Sequence, residues 1–175
     1  MSAQAASVKV RWGGLARLGV WLLAAVGCAA LRPAPLDVLP GFRIVLCRMD
    51  VSRLDAPGAL IEILSADGAV AQELRAGWGQ RDFAFALPPG RYGIFRVRVL
   101  ADDRQIPAYP IRYVRVGFEV GPEPAVYLGT LRLTPFLGDR LGVEVVDEYD
   151  DTVARLRAWY PEIPGTIARS LMRAA

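Results

Sequence analysis

Between residues 41 and 147 the chain alternates short apolar runs with turn-forming residues. The run FRIVLCRMDV over 42–51 is apolar and β-branched enough to predict a largely buried strand. ALIEILS and AVAQELR flank Asp67 and Gly68, and an Asp-Gly pair between apolar runs predicts a hairpin over 60–75. After a loop of Gly77, Trp78 and Gly79, residues Phe83, Phe85 and Leu87 fall at every second position, on one face of a strand. Pro88, Pro89 and Gly90 have the chemistry of a tight reversal, since proline presets φ and glycine is free at positive φ. In the RYGIFRVRVL that follows, Phe95, Val97 and Val99 alternate with Arg96 and Arg98, which places the arginines on a wet face, where they are also a candidate ligand-binding pair. A polar loop with Asp102, Asp103, Pro107 and Pro110 leads to IRYVRVGFEV. Arg112, Val114, Val116 and Phe118 share a parity there, a mixed face that marks an edge or twisted strand. Past the turn at 121–124, AVYLGTLRL puts Tyr127, Gly129, Leu131 and Leu133 on one face, and LGVEVVD ends the run. Seven to eight short strands with turn signals between them predict a mainly β chain, an antiparallel β-sandwich with a C-terminal helix.

The helix is announced by a change of period after Asp147. Tyr149, Val153, Leu156 and Tyr160 follow at i, i+4, i+7 and i+11, one apolar stripe, and Pro161 ends it. Asp147, Glu148, Asp150 and Asp151 crowd its start, where carboxylates favour the dipole and cap free amides. Asp150 or Asp151 is expected to cap a helix beginning near Thr152. The same acids are candidates for Ca²⁺ or for an acid/base pair, but D-E-Y-D-D lacks the spacing of an EF-hand loop, so no metal is assigned. The stretch 164–175 reads as either a further amphipathic helix through Ile167, Leu171 and Met172 or a frayed terminus.

Ahead of the strands, Lys9, Arg11 and Arg17 precede the apolar run LGVWLLAAVGC and small residues that lead to Cys28. A basic stretch, a short apolar stretch and a small-residue cleavage site are the parts of an export signal, and the run is too short to span a membrane. Residues 1–27 are expected to be removed, 28–40 to form a Pro-rich tether, 41–147 the sandwich and 148–175 a helical segment packed beside it. Removal changes the charge: the whole chain is formally +3, but the leader holds three basic residues and no acid, so the mature domain is near neutral. That argues against nucleic acid as a partner, because such a binder would keep a basic stripe. Cys47, inside an apolar strand, is expected to be a buried structural thiol.

Chemistry is further bounded by what the chain lacks. It has no histidine, which excludes Ser–His and Cys–His nucleophilic pairs and histidine-ligated zinc. Lys9 is its single lysine, so Ser/Lys chemistry is unavailable to the processed chain, and neither phosphate-cradling glycine motif occurs. A carboxylate-pair hydrolase stays formally open, though no spacing selects a pair. No catalytic residue and no cofactor is assigned. Trp78, Tyr109 and Trp159 are the candidate wall of a ligand pocket at a sandwich end.

Two resemblances sharpen the picture. Ala25, Val26, Gly27 and Cys28 resemble the lipobox of bacterial lipoproteins, which implies acylation of Cys28 and anchoring to a membrane. Ala25 stands where that motif usually has leucine, so cleavage near Ala30 and a soluble periplasmic product is the alternative. Ala29, after the cysteine, resembles the sorting signal for the outer membrane. ALPPGRYGIFRVRV, VYLGTLRL and VEVVDEYDDTVARLRAWYP together resemble a broad group of bacterial lipoproteins with a transthyretin-like or carboxypeptidase-regulatory-like β-sandwich. That likeness implies a fold and carries no catalytic residues. The expected protein is a lipid-anchored module of the cell envelope, structural or with an envelope protein as partner, with a periplasmic binder of a small ligand or glycan as the alternative and a carboxylate-dependent hydrolase behind it.

Overall fold

The computed structural model describes residues 35–100 and 111–174. The export signal, Cys28 and Tyr109 lie outside the described residues. Eight strands come first: β1 (Arg43–Asp50), β2 (Gly58–Ser65), β3 (Val70–Gly77), β4 (Gln80–Leu87), β5 (Gly90–Leu100), β6 (Ile111–Val120), β7 (Ala125–Pro135) and β8 (Leu141–Val146). Helix α1 (Tyr149–Trp159) and the two-residue strands β9 (Ala168–Arg169) and β10 (Arg173–Ala174) follow. One sheet has the order β4-β1-β7-β8 with β9 on β7, and the other β10-β6-β5-β2-β3. The chain is the mainly β sandwich with a C-terminal helix that the turn spacing predicts. Within it β1 and β7 run parallel. The Pro88-Pro89-Gly90 reversal joins strands of different sheets, and Tyr92 pins it by donating its hydroxyl to the Pro88 carbonyl at 2.8 Å. The Asp67-Gly68 hairpin forms as read, with Gly68 at φ 84.

Two glycine-linked bulges change which side chains face inward. In β5 the pairing to both neighbours slips at Phe95, so Ile94 and Val97 are buried while Phe95 turns out to solvent, away from the face it was expected to share with Val97. Gly93 makes this tolerable, because a Cβ there would meet the Phe95 ring at 2.5 Å. In β7 the slip falls at Gly129, whose φ of 93 suits glycine. Tyr127 therefore packs outside the first sheet, while Leu131 and Leu133 point into the sandwich, so the shared face read from their spacing is split. Elsewhere the parity holds for Phe83 and Phe85, which face the core, and the face left open in β6 is settled, with Val114, Val116 and Phe118 inward. β6 lies next to one edge of its sheet, with only the two-residue β10 beyond it.

The first sheet is covered on both faces. Val45, Cys47 and Met49 look into the sandwich, and Ile44 and Leu46 look outward beneath α1, where Val153 and Leu156 of the helix join Tyr127. The helix starts at Tyr149, three residues earlier than expected. Its N-cap is Glu148, with no side-chain capping bond, and Asp150 and Asp151 are exposed in the first turn, so neither is the cap.

After Trp159 the chain turns at 161–163, where Ile163 N donates to Tyr160 O at 3.2 Å, and from Ile167 it runs extended, neither helical nor frayed. Ile167 and Met172 are buried as an amphipathic pattern requires, but on two different layers: Ile167 under the helix and Met172 in the sandwich core. Ser170 N donates to Tyr127 O at 2.9 Å and Met172 N to Leu128 O at 2.8 Å, so the tail crosses from the first sheet to the edge of the second. Among the described residues no helix is long and apolar enough to cross a membrane.

Two measurements follow. Met172→Ala should lower stability by about 2–5 kcal/mol, the usual cost of emptying a buried methionine site; urea unfolding reads it, and an unchanged midpoint would place the tail outside the core. Cys47 is fully buried and burial pushes its thiol pKa up. Maleimide should therefore modify it in native buffer far more slowly than in denaturant.

Candidate functional site

Where α1 leaves the apolar part of the sheet, it meets charge. Arg48 and Asp50 continue the outward parity of Ile44 and Leu46, and both are buried. Arg48 donates from Nε to Asp82 Oδ1 at 2.6 Å and from Nη1 to Glu148 Oε2 at 2.9 Å. Asp82 takes a second bond at Oδ2 from Arg155 of the helix, 2.7 Å. Glu148 also accepts from Thr130 Oγ1 and Arg132 Nη2, each at 2.8 Å, and its own amide donates to the Tyr127 hydroxyl at 2.9 Å. The residue that heads the helix thus spends its carboxylate on the sheet. Burial alone would lower the Arg48 pKa, but bonds and charge from Asp82 and Glu148 outweigh it and hold the group above its ordinary value. Arg48 Nη2 is buried without a partner among the described residues.

Asp50 lies beside this cluster. Burial would raise its pKa, but Ser52, Gln80 and the Arg132 charge outweigh that, and the carboxyl sits below its ordinary value. A second buried carboxylate, Glu62, lies on the outer face of the other sheet between Arg96 Nη2, 3.0 Å away, and Arg98 Nη2. The arginine pair read as a wet face or a ligand site is therefore half-exposed and already holds a carboxylate of the chain. Carboxylates tied in this way serve as acceptors for guanidinium groups. Among the described residues no three His, Cys, Asp or Glu side chains gather as a metal site would need.

The surface chemistry lies elsewhere, along the seam where the edges of the two sheets meet. β6 and β8 are those edges, and they touch at one end, where Tyr113 N donates to Asp139 O at 2.9 Å and Arg112 Nη1 to Gly138 O at 2.6 Å. At the other end β10 closes on Val116 and Gly117. Between them opens a cavity of about 730 Å³. Val114, Leu141 and Val143 form its floor, and Phe95, Tyr113 and Phe136 stand on its rim with Arg115, Asp139 and Arg140. Phe136 and its neighbour Leu137 are 62% and 79% exposed, in the turn between β7 and β8. The Phe95 bulge and the glycine beneath it are what bring a ring to this rim.

Trp78 and Trp159 are exposed, at 69% and 52%, and neither lines this cavity. Trp78 sits in the β3–β4 turn and Trp159 ends α1. Rim residues Phe136 and Arg140 went unremarked in the sequence because they fall in a turn, where no period applies; the signal available was a bulky Phe-Leu pair at a turn, where polar residues are usual. Compared with known proteins, the chain matches no family model, no curated protein and no solved structure.

Arg48→Ala removes the guanidinium shared by Asp82 and Glu148, which keep Arg155 and Arg132, and should cost about 1.5–3 kcal/mol, the worth of a hydrogen bond to a charged group, whereas Asp150→Ala, at an exposed position without a capping bond, should change stability little. Denaturant unfolding compares them, and equal losses would contradict the network. The lowered Asp50 pKa contributes stability that is present above its unfolded value, about 3.9, and is lost as pH falls towards the folded value. Asp50→Asn should therefore flatten part of the acid-side loss of stability.

Proposed function

We propose that the chain is an exported, lipid-anchored β-sandwich of the cell envelope that acts without catalysis, as a structural or protein-interaction module. The observation that carries the binding part is the open seam: aromatic rings, exposed apolar side chains and arginines together on one rim. Aromatics and arginine are the residues enriched where proteins meet partners, and contiguous exposed apolar surface marks such places. The export and anchor parts rest on the leader and on the lipobox-like residues before Cys28. Outer-membrane attachment facing the periplasm follows from Ala29 by the same resemblance, and a soluble periplasmic product is its alternative. A second reading, a small-ligand or glycan binder, is favoured by the volume of the cavity, which lies in the range of small-molecule sites.

Metabolic palmitate labelling tests the anchor: wild type should incorporate label and Cys28→Ala should not. Equal incorporation, or release of the wild type by osmotic shock, would overturn it. A rise in melting temperature with envelope glycans, lost on Tyr113→Ala, would favour the second reading, because ligand binding stabilises by mass action.

A further inference from the structure

We infer that one end of the sandwich is a docking surface for an anionic lipid bilayer, with two loop tips entering the interface and a collar of arginines meeting the headgroups. The inference goes beyond the seam and needs neither the leader nor acylation of Cys28. In the second sheet Gly58 pairs with Gly77 and with Leu100, and Arg98 with Ile111, so β2 begins, β3 and β5 finish and β6 begins at one end. In the first sheet Asp50 pairs with Gln80 and with Arg132, so β1 finishes and β4 begins level with the last residues of β7. Only two residues separate Gly77 of the second sheet from Gln80 of the first, so these ends coincide. The bonds from Tyr113 N to Asp139 O and from Arg112 Nη1 to Gly138 O bring the 136–140 turn to the same place. Leu137, Trp78 and Phe136 are the three most exposed large apolar side chains among the described residues, and the fold gathers all three at this end. Both tips are held: Val51 N donates to Gly79 O at 2.9 Å and Arg140 N to Leu137 O at 3.3 Å. Little order therefore remains to be lost on docking.

Charge selects the occupant. In the loops at this end and on the adjoining strand ends, Arg53, Arg75, Arg81, Arg112 and Arg140 stand against the exposed acids Asp55 and Asp139. Asp50 and Asp82 are spent on Arg132 and Arg48, and Arg98 is spent on Glu62. In sequence, the connection between β5 and β6 adds Asp102, Asp103 and Arg104, which still leaves arginine in surplus. An anionic leaflet attracts each such charge, and the arginine stem lies along apolar surface while the guanidinium stays among the headgroups. Tryptophan belongs at the membrane interface. Tips that project singly suit a fluid surface, whereas a protein partner would need a matching hollow for each. Arg43, where β1 starts, is at the opposite end of the sheet, so this contact is additional to any anchor ahead of Pro35. With both engaged, the sandwich lies along the bilayer.

The test uses the full chain with Trp12→Phe, Trp21→Phe and Trp159→Phe, so that Trp78 alone reports. Vesicles of phosphatidylcholine are compared with vesicles in which phosphatidylglycerol replaces part of it. The anionic vesicles should shift Trp78 emission to the blue and open it to quenching by brominated acyl chains, at about tenfold or more lower lipid concentration than the zwitterionic ones. High salt should narrow that gap. The leader can hold the chain on either vesicle, but only docking of this end takes Trp78 out of water. Phe136→Ser with Leu137→Ser, both exposed and so harmless to folding, should weaken the Trp78 response, and Arg53→Glu with Arg140→Glu should abolish the preference for anionic lipid. The inference is overturned if Trp78 stays in water on vesicles that carry the chain, or if the charge reversal has no effect. A blue shift without lipid that grows with protein concentration would also overturn it, by making this end a contact between copies of the chain. Failure of palmitate labelling would remove the anchor and leave the vesicle result standing.

Discussion

A guanidinium shut away from water has to be matched, and Arg48 is matched from outside its own strand by Asp82 of β4 and by Glu148 at the head of α1. That pairing is the constraint on which the outer layer depends. It joins the second half of β1 to the neighbouring strand and to the helix, while Ile44 and Leu46 hold the first half by apolar contact. Arg155 closes the ring from the helix side through Asp82. Buried pairs of this kind add little net stability over an apolar replacement, but they penalise any arrangement that leaves one partner alone. The helix can slide only by stranding a charge, so the network fixes where it sits.

The strand count, the turns, the burial of β1 and the docking stripe of α1 were legible because each rests on a pattern that holds over many residues. Phe95 and Tyr127 were misplaced for one shared reason. A bulge adds a residue without any marker in the alternation, and every inside-outside assignment beyond it changes sign. Gly93 and Gly129 are the traces such bulges leave, but glycine inside a strand pattern has other uses as well. The tail failed differently: Ile167 and Met172 are both buried, as one helical face would have them, yet they belong to separate layers bridged by an extended chain.

The site was less legible than the fold. Large isolated aromatics in loops drew attention to Trp78 and Trp159, whereas the seam is made by adjacency of β6, β8 and β10, which no local pattern encodes. Tyr113 and Arg115 alternate with Val114 and Val116 in a strand whose faces the alternation leaves mixed. Only the sheet order makes their side the wall of an opening. Glu62 was hidden in the same way, since its partners Arg96 and Arg98 lie on a strand that becomes its neighbour only in the folded sheet.

The parallel pairing of β1 with β7 bears on the order in which the molecule is made. β1 is early in the chain, yet one flank waits for β7 and its outer face waits for α1, near the other end. Contacts so distant in sequence form slowly, because a long loop must close before they are gained. The first sheet therefore stays incomplete until most of the chain has been synthesised. Among the described residues the first strand has no finished sheet to lock into until the last third of the chain is present.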